Sequence, residues 1–212
     1  MIKTYLESIE KEPAELDTER HERLLSEIAS FVASELKRGN RPKLHFICTH
    51  NSRRSQLAQA WCAFVQDWMN LDLADCYSGG TEVTACNERT VAALERAGCN
   101  INIESDSFEN PVFRITASDS DTSVRLWSKM YHDESNPEEN FAAVMTCDHA
   151  DANCPYIPGA MQRFPLTYTD PKYADNTDSE QAAYDKTCRM IAADMIRLFR
   201  KADALTQEHI SH

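Results

Sequence analysis

Cys48 ends the apolar run LHFIC, and Arg54 follows six residues later across a polar turn, CTHNSRRS, that contains no glycine. A thiolate is the nucleophilic form of cysteine, and a guanidinium can fork onto two oxygens of a tetrahedral anion. If the run is a strand and the residues from about Ser52 open a helix, Cys48 lies at a strand's carboxyl end. Open parallel sheets bind their ligands there. The helix start adds unsatisfied N–H groups and a partial positive charge, which cradle an oxyanion. That field and Arg54 both favour thiolate over thiol. The chemistry indicated is attack by Cys48 on an oxyanion held by Thr49, His50, Asn51, Ser52, Arg53, Arg54 and Ser55. Ser55 can hydrogen-bond the thiolate and Asn51 can brace the loop. The competing reading is a buried strand-end cysteine followed by an exposed basic helix start.

Two further cysteines, Cys147 and Cys154, stand seven residues apart in CDHADANC, after the apolar run AAVM. By themselves they are either unrelated thiols or, with His149, part of a metal site. No CxxC ligand pair supports a metal, and none is expected. Asp170–Pro171 lies in a long polar segment, where it reads as a turn or as an acid.

The elements that must carry these residues follow from periodicity. DTERHERLLSEIASFVASELKRG reads as an amphipathic helix capped by Asp17 or Thr18, with Leu25, Ile28, Val32 and Leu36 on one face. It is expected to pack on the domain that follows. KLHFIC and ADCYSGG read as strands, and Leu57, Trp61, Phe64, Val65 and Trp68 mark a helix between them. NERTVAALERAG is a helix capped by Asn87 and closed by Gly98. VFRITAS reads as a strand and SVRLWSKMY as a short helix. AAVMTC is a buried strand, DHADANC through NTDSE a long loop, and Tyr184, Cys188, Ile191, Met195 and Leu198 line a final helix. No repeat or low-complexity linker divides the chain. The alternation predicts an α/β fold, a small parallel sheet with helices on both faces, plus an N-terminal helical extension. The expected division is an extension over residues 1–40 and one domain over 41–205.

The 212 residues carry a formal charge of −12, with 42% hydrophobic and 26% charged residues. A broad nucleic-acid surface needs clustered cations and is excluded, so any anion site is local. No apolar run is long enough for a membrane span, and the first residues lack a signal peptide's apolar core. A cytoplasmic protein is expected. In a reducing compartment most of its eight cysteines should be free, with Cys62, Cys76, Cys86, Cys99 and Cys188 acting as small buried hydrophobes.

The segment CTHNSRRS resembles the phosphate-binding loop of the low-molecular-weight protein tyrosine phosphatases and the thioredoxin-coupled arsenate reductases. The likeness continues through CYSGGTEVTACNERTVAALERAG and VMTCDHADANCPYIPGAMQRFPLTYTDP into the last helix. It leaves out the first forty residues and the long middle segment from Asn102 to Asn140. His50 stands where the family commonly has Gly, and Arg53 where it often has Cys. The resemblance implies the family's fold and no cofactor. It implies Cys48 as nucleophile, Arg54 as oxyanion ligand and Asp170 as the acid that protonates the leaving oxygen. The cysteine pair is closest to the reductases. There it implies that Cys147 displaces arsenite by forming a disulfide with Cys48, and that Cys154 takes that disulfide over and presents it to thioredoxin. A phosphatase acting on aryl phosphate monoesters is the alternative, and a non-catalytic oxyanion sensor a third reading. Some reductases of this type hold a monovalent cation through a carboxylate near the loop; Gln59 occupies that region here.

Overall fold

The computed structural model describes residues 1–11, 18–105, 107–153 and 156–207. A four-stranded parallel sheet, in the order β2-β1-β6-β7, is built from β1 (Lys43–Cys48), β2 (Asp75–Gly80), β6 (Phe141–Met145) and β7 (Ala160–Phe164). Chain order runs outward in both directions from the β1–β6 pair, so the topological switch point lies between those two strands. The strand pleat divides their side chains. Leu44, Phe46, Ala142 and Val144 face the larger core, whereas Ile47, Phe141, Ala143 and Met145 face a smaller one with Ala150 and Ile157. Burial on both faces explains why these strands read as continuous apolar runs.

The larger core is closed by α1 (Ile2–Lys11), α2 (Thr18–Lys37), α3 (Arg54–Trp68), α4 (Glu88–Arg96) and α6 (Glu180–Gln207). Leu25, Ile28 and Val32 of α2 are fully buried and Leu36 packs against them, as the periodicity predicts. The cap expected at Asp17 or Thr18 falls outside the described residues and side chains. Helix α1 extends this packing through Ile2, Leu6 and Ile9. In α4 the Asn87 side chain accepts the Arg89 N–H, the expected cap. Tyr184, Cys188, Ile191, Met195 and Leu198 are all buried along α6. The short α5 (Asp148–Asn153) covers the smaller core.

Three expectations change. A second, antiparallel sheet forms from β3 (Cys99–Ile103), β4 (Phe113–Ala117) and β5 (Ser123–Leu126), in the order β3-β4-β5. SVRL is therefore strand rather than helix, because Val124 and Leu126 alternate inward and pair with Ile115 and Phe113. Part of the long loop after Cys147 is also ordered, as α5, as the edge strand β7 and as a 3-10 turn over Pro171–Ala174. Lastly, Cys62 and Cys76 form a disulfide between α3 and β2, with Cα atoms 6.1 Å apart. They are not the free buried thiols expected. Cys48, Cys86, Cys99, Cys147 and Cys188 are free. No described helix is long and apolar enough to cross a membrane.

Candidate active site

Cys48 ends β1 and α3 begins at Arg54, so the loop between them is the expected strand-to-helix turn. The Asn51 N–H donates to Cys48 Sγ at 3.1 Å, and Ser55 Oγ lies 3.1 Å from the same sulfur. Asn51 Nδ2 donates to Ser55 Oγ at 2.9 Å, which fixes the hydroxyl that faces the thiol. Asn51 has φ +46°, a left-handed conformation that asparagine tolerates better than most residues. The turn is thus made at position 51. His50 needs no glycine-like backbone and sends its imidazole outward, 3.3 Å from Glu82 and 44% exposed.

Gly80, at the end of β2, is the glycine the loop does require. A β-carbon there would meet Thr49 O at 2.7 Å and Asn51 N at 2.8 Å. Ser52 Oγ donates to Ala85 O, and Ser52 O accepts from Asn87 N–H, tying the loop to the start of α4.

Arg54 and Asp170 meet from 116 positions apart. Arg54 Nη2 donates to Asp170 Oδ2 at 2.8 Å and Nη1 to Tyr168 O at 2.9 Å. Arg54 Nε is buried without a hydrogen-bond partner, a donor suited to an oxyanion. Asp170 Oδ1 also accepts the Lys172 N–H, so Asp170–Pro171 is a turn and a charged neighbour of the loop at once. Arg53 reaches α6. Its Nε donates to Tyr184 OH at 2.9 Å, with Asp170 and Asp175 3.9 and 3.8 Å away. This arginine binds the loop to α6.

Cys147 follows β6 across the switch point from Cys48. It is 1% exposed. Thr49 Oγ1 lies 3.5 Å from its sulfur and 3.2 Å from His149 Nδ1, and the Ala150 N–H points at the sulfur. Cys154 lies outside the described residues. Among the described residues no cluster of three His, Cys, Asp or Glu side chains forms a metal site. Gln59 Oε1 accepts from Ser78 Oγ.

The periodicity left several partners of the loop unseen. Gln56 Nε2 donates to Asn51 O and Trp127 O, Ser128 Oγ donates to His50 O, and Lys129 N–H donates to Asn51 Oδ1. Helical spacing marks Gln56 only as polar, and nothing local links residues 127–129 to residue 51.

The arrangement can hold a tetrahedral oxyanion over a hydrogen-bonded cysteine, beside an arginine and a carboxylate. Residues 43–209 match the family model described as low molecular weight phosphotyrosine protein phosphatase. The chain belongs to that family. Among its curated relatives, the arsenate reductase of Halalkalibacterium halodurans is 27% identical over 163 residues, covering 76% of this chain and 96% of the relative. The arsenate reductase of Staphylococcus aureus (strain Newman) is 28% identical over 131 residues, covering 60% of this chain and 77% of its own. A solved structure of a YwlE mutant from Bacillus subtilis has a TM-score of 0.50 at 14% identity, covering 76% of this chain and 99% of that one. At that identity the likeness concerns the fold. The family match covers residues 43–209, and α1 and α2 lie before it in the chain.

Proposed function

We propose that this protein reduces arsenate to arsenite through a cysteine relay. The observation that carries the reading is Cys147, buried across the switch point and within 3.5 Å of the hydroxyl of Thr49, the residue after Cys48. Hydrolysis of a phosphate ester needs no second thiol. Curated relatives named arsenate reductase support the same reading.

In the proposed reaction the Cys48 thiolate attacks arsenic, and Asp170 protonates the departing oxygen, which leaves as water. Arg54 and the loop N–H groups hold the remaining oxygens. The Cys147 thiolate then attacks the Cys48 sulfur. A Cys48–Cys147 disulfide forms, the sulfur–arsenic bond breaks, and its electron pair leaves with arsenic as arsenite. Cys154 attacks Cys147 and frees Cys48. A dithiol of the thioredoxin class reduces the Cys147–Cys154 disulfide. Each exchange needs only an attacking thiolate within reach.

A second reading, hydrolysis of aryl phosphate monoesters, is favoured by a cleft of about 500 Å³ beside the loop. His50, Arg53, Phe108, Pro111 and Lys172 line it, and it is larger than a bare oxyanion requires.

The deciding experiment runs arsenate reduction with thioredoxin, thioredoxin reductase and NADPH beside aryl phosphate hydrolysis. The expected result is arsenate-dependent NADPH oxidation that stops in Cys147→Ser, while any ester hydrolysis by that variant persists. Peptide mapping of Cys154→Ser after arsenate should recover a Cys48–Cys147 disulfide. Efficient ester hydrolysis with no disulfide formed on arsenate would establish the phosphatase reading instead.

A further inference from the structure

The stretch from Trp127 to Met130 leaves β5 and runs behind the anion loop. Trp127 O, Ser128 Oγ and Lys129 N–H bind Gln56, His50 and Asn51 respectively, and Lys129 O accepts the Gly80 N–H. These backbone ties lock the Lys129 side chain inside the protein. It is 3% exposed. Its Nζ lies 3.9 Å from the centre of the Trp127 ring and has no hydrogen-bond partner. An ammonium carries three donors and is costly to bury unpaired. A space that needed only filling would suit methionine or leucine.

Among the groups facing Lys129, Asp133 offsets its charge electrostatically but makes no hydrogen bond to its Nζ. The electrostatic neighbours of Lys129 are Asp133, Cys86, Arg125 and His45. The Asp133 carboxylate is engaged by the Ser135 N–H and hydroxyl. Arg125 adds like charge and is paired with Glu104. Burial pushes the Cys86 thiol up to about 12, and burial with the nearby Lys129 pulls His45 down to about 3, so both are neutral at physiological pH. Burial also lowers Lys129 to about 8, which leaves it largely protonated at neutral pH.

We propose that Lys129 is a positioning residue of the oxyanion site, a fixed cation behind the Cys48 loop that strengthens anion binding and thiolate formation. The Lys129 N–H holds Asn51 Oδ1, Asn51 Nδ2 holds Ser55 Oγ, and Ser55 Oγ faces Cys48 Sγ. That chain ties the Lys129 backbone, the root of its side chain, to the sulfur. The inference rests on the Cys48 loop being an oxyanion site, and not on which reaction follows.

Lys129→Met keeps the side chain's shape and removes its charge, and Lys129→Arg keeps the charge. The readouts are phosphate affinity, the pH profile of Cys48 alkylation by iodoacetamide, and the thermal melt. Lys129→Met should melt at or above the wild type. It should bind phosphate roughly tenfold more weakly, on the order of what removing one unit charge near the site does at an effective dielectric of about 20. Its alkylation profile should move to higher pH, and Lys129→Arg should recover most of both losses. Wild-type affinity and profile in Lys129→Met would overturn the proposal and leave Lys129 a packing residue. If that variant fails to fold, sulfate binding to Cys48→Ser protein tests the same point without a thiol in the loop. Its affinity should fall from neutral to alkaline pH as the ammonium loses its proton, and a flat profile would overturn the proposal. A wild type that binds neither phosphate nor sulfate would overturn the loop reading together with this one.

Discussion

Asn51 takes the left-handed turn of the anion loop and uses both ends of its amide, receiving the Lys129 N–H and donating to Ser55 Oγ. That division of work lets histidine occupy position 50, because the strained backbone angle belongs to the next residue. Arg54 shows a different economy. Its guanidinium is engaged by Asp170 and by the Tyr168 carbonyl. A bound oxyanion competes for that fork, and the role proposed for Asp170 is to protonate the departing oxygen. Asp170→Asn is therefore expected to lower kcat by about 10²–10⁴-fold, the usual contribution of a general acid. Phosphate inhibition should be unchanged or tighter, since Arg54 loses a competing charge. Steady-state rates beside phosphate inhibition constants make the comparison, and full turnover in Asp170→Asn would leave the residue a turn.

At the scale of elements, α2 and α6 meet through an ion pair as well as an apolar stripe. His21 Nδ1 lies 2.9 Å from Asp194 Oδ2, Tyr168 OH donates to the same oxygen at 3.0 Å, and Arg197 lies 3.3 Å from Oδ1. The hydrogen bond to Asp194 raises His21 above its ordinary value, with burial opposing it and the Asp194 charge assisting. A raised folded-state value makes the contribution complete below the unfolded value of about 6.5. It is lost as pH rises through the folded one. Thermal melts of the wild type and His21→Gln should differ most at mildly acidic pH and converge toward alkaline pH. A gap independent of pH would remove the ion pair from this account. The link reaches the site, because the Tyr168 that binds Asp194 also holds Arg54 through its carbonyl.

Across the whole molecule, the Cys62–Cys76 disulfide joins the helix that begins at Arg54 to the strand that ends at Gly80. Both elements border the anion loop, so the bridge fastens the frame of the site far from its sulfur chemistry. Closing a loop of about 15 residues is worth about 3 kcal/mol in the chain-entropy account. For a protein of this size each kcal/mol shifts Tm by roughly 2–4 °C. Reductant should therefore lower the wild-type Tm by roughly 6–12 °C. It should leave a Cys62→Ala/Cys76→Ala variant unmoved, and non-reducing peptide mapping should recover the pair. Equal response to reductant in both proteins would assign the effect to another bridge.

The sequence by itself determined the elements whose cause is short-range. The strand before Cys48, the helix from Arg54, the Asn87 cap and the α6 stripe follow from periodicity and capping, which act within a few residues. Cys48, Arg54 and Ser55 were legible for the same reason, since one strand–loop–helix carries all three. The tertiary structure decided what depends on distant partners. SVRL becomes a strand because β4 offers it a ladder, and AMQRF becomes β7 because β6 has a free edge. Cys62 and Cys76 look like ordinary buried side chains until α3 and β2 are set side by side. The Arg54–Asp170 pair and the Lys129 brace join residues 116 and 78 positions apart. Side-chain periodicity encodes which face a residue presents to the core, but not which distant residue waits there.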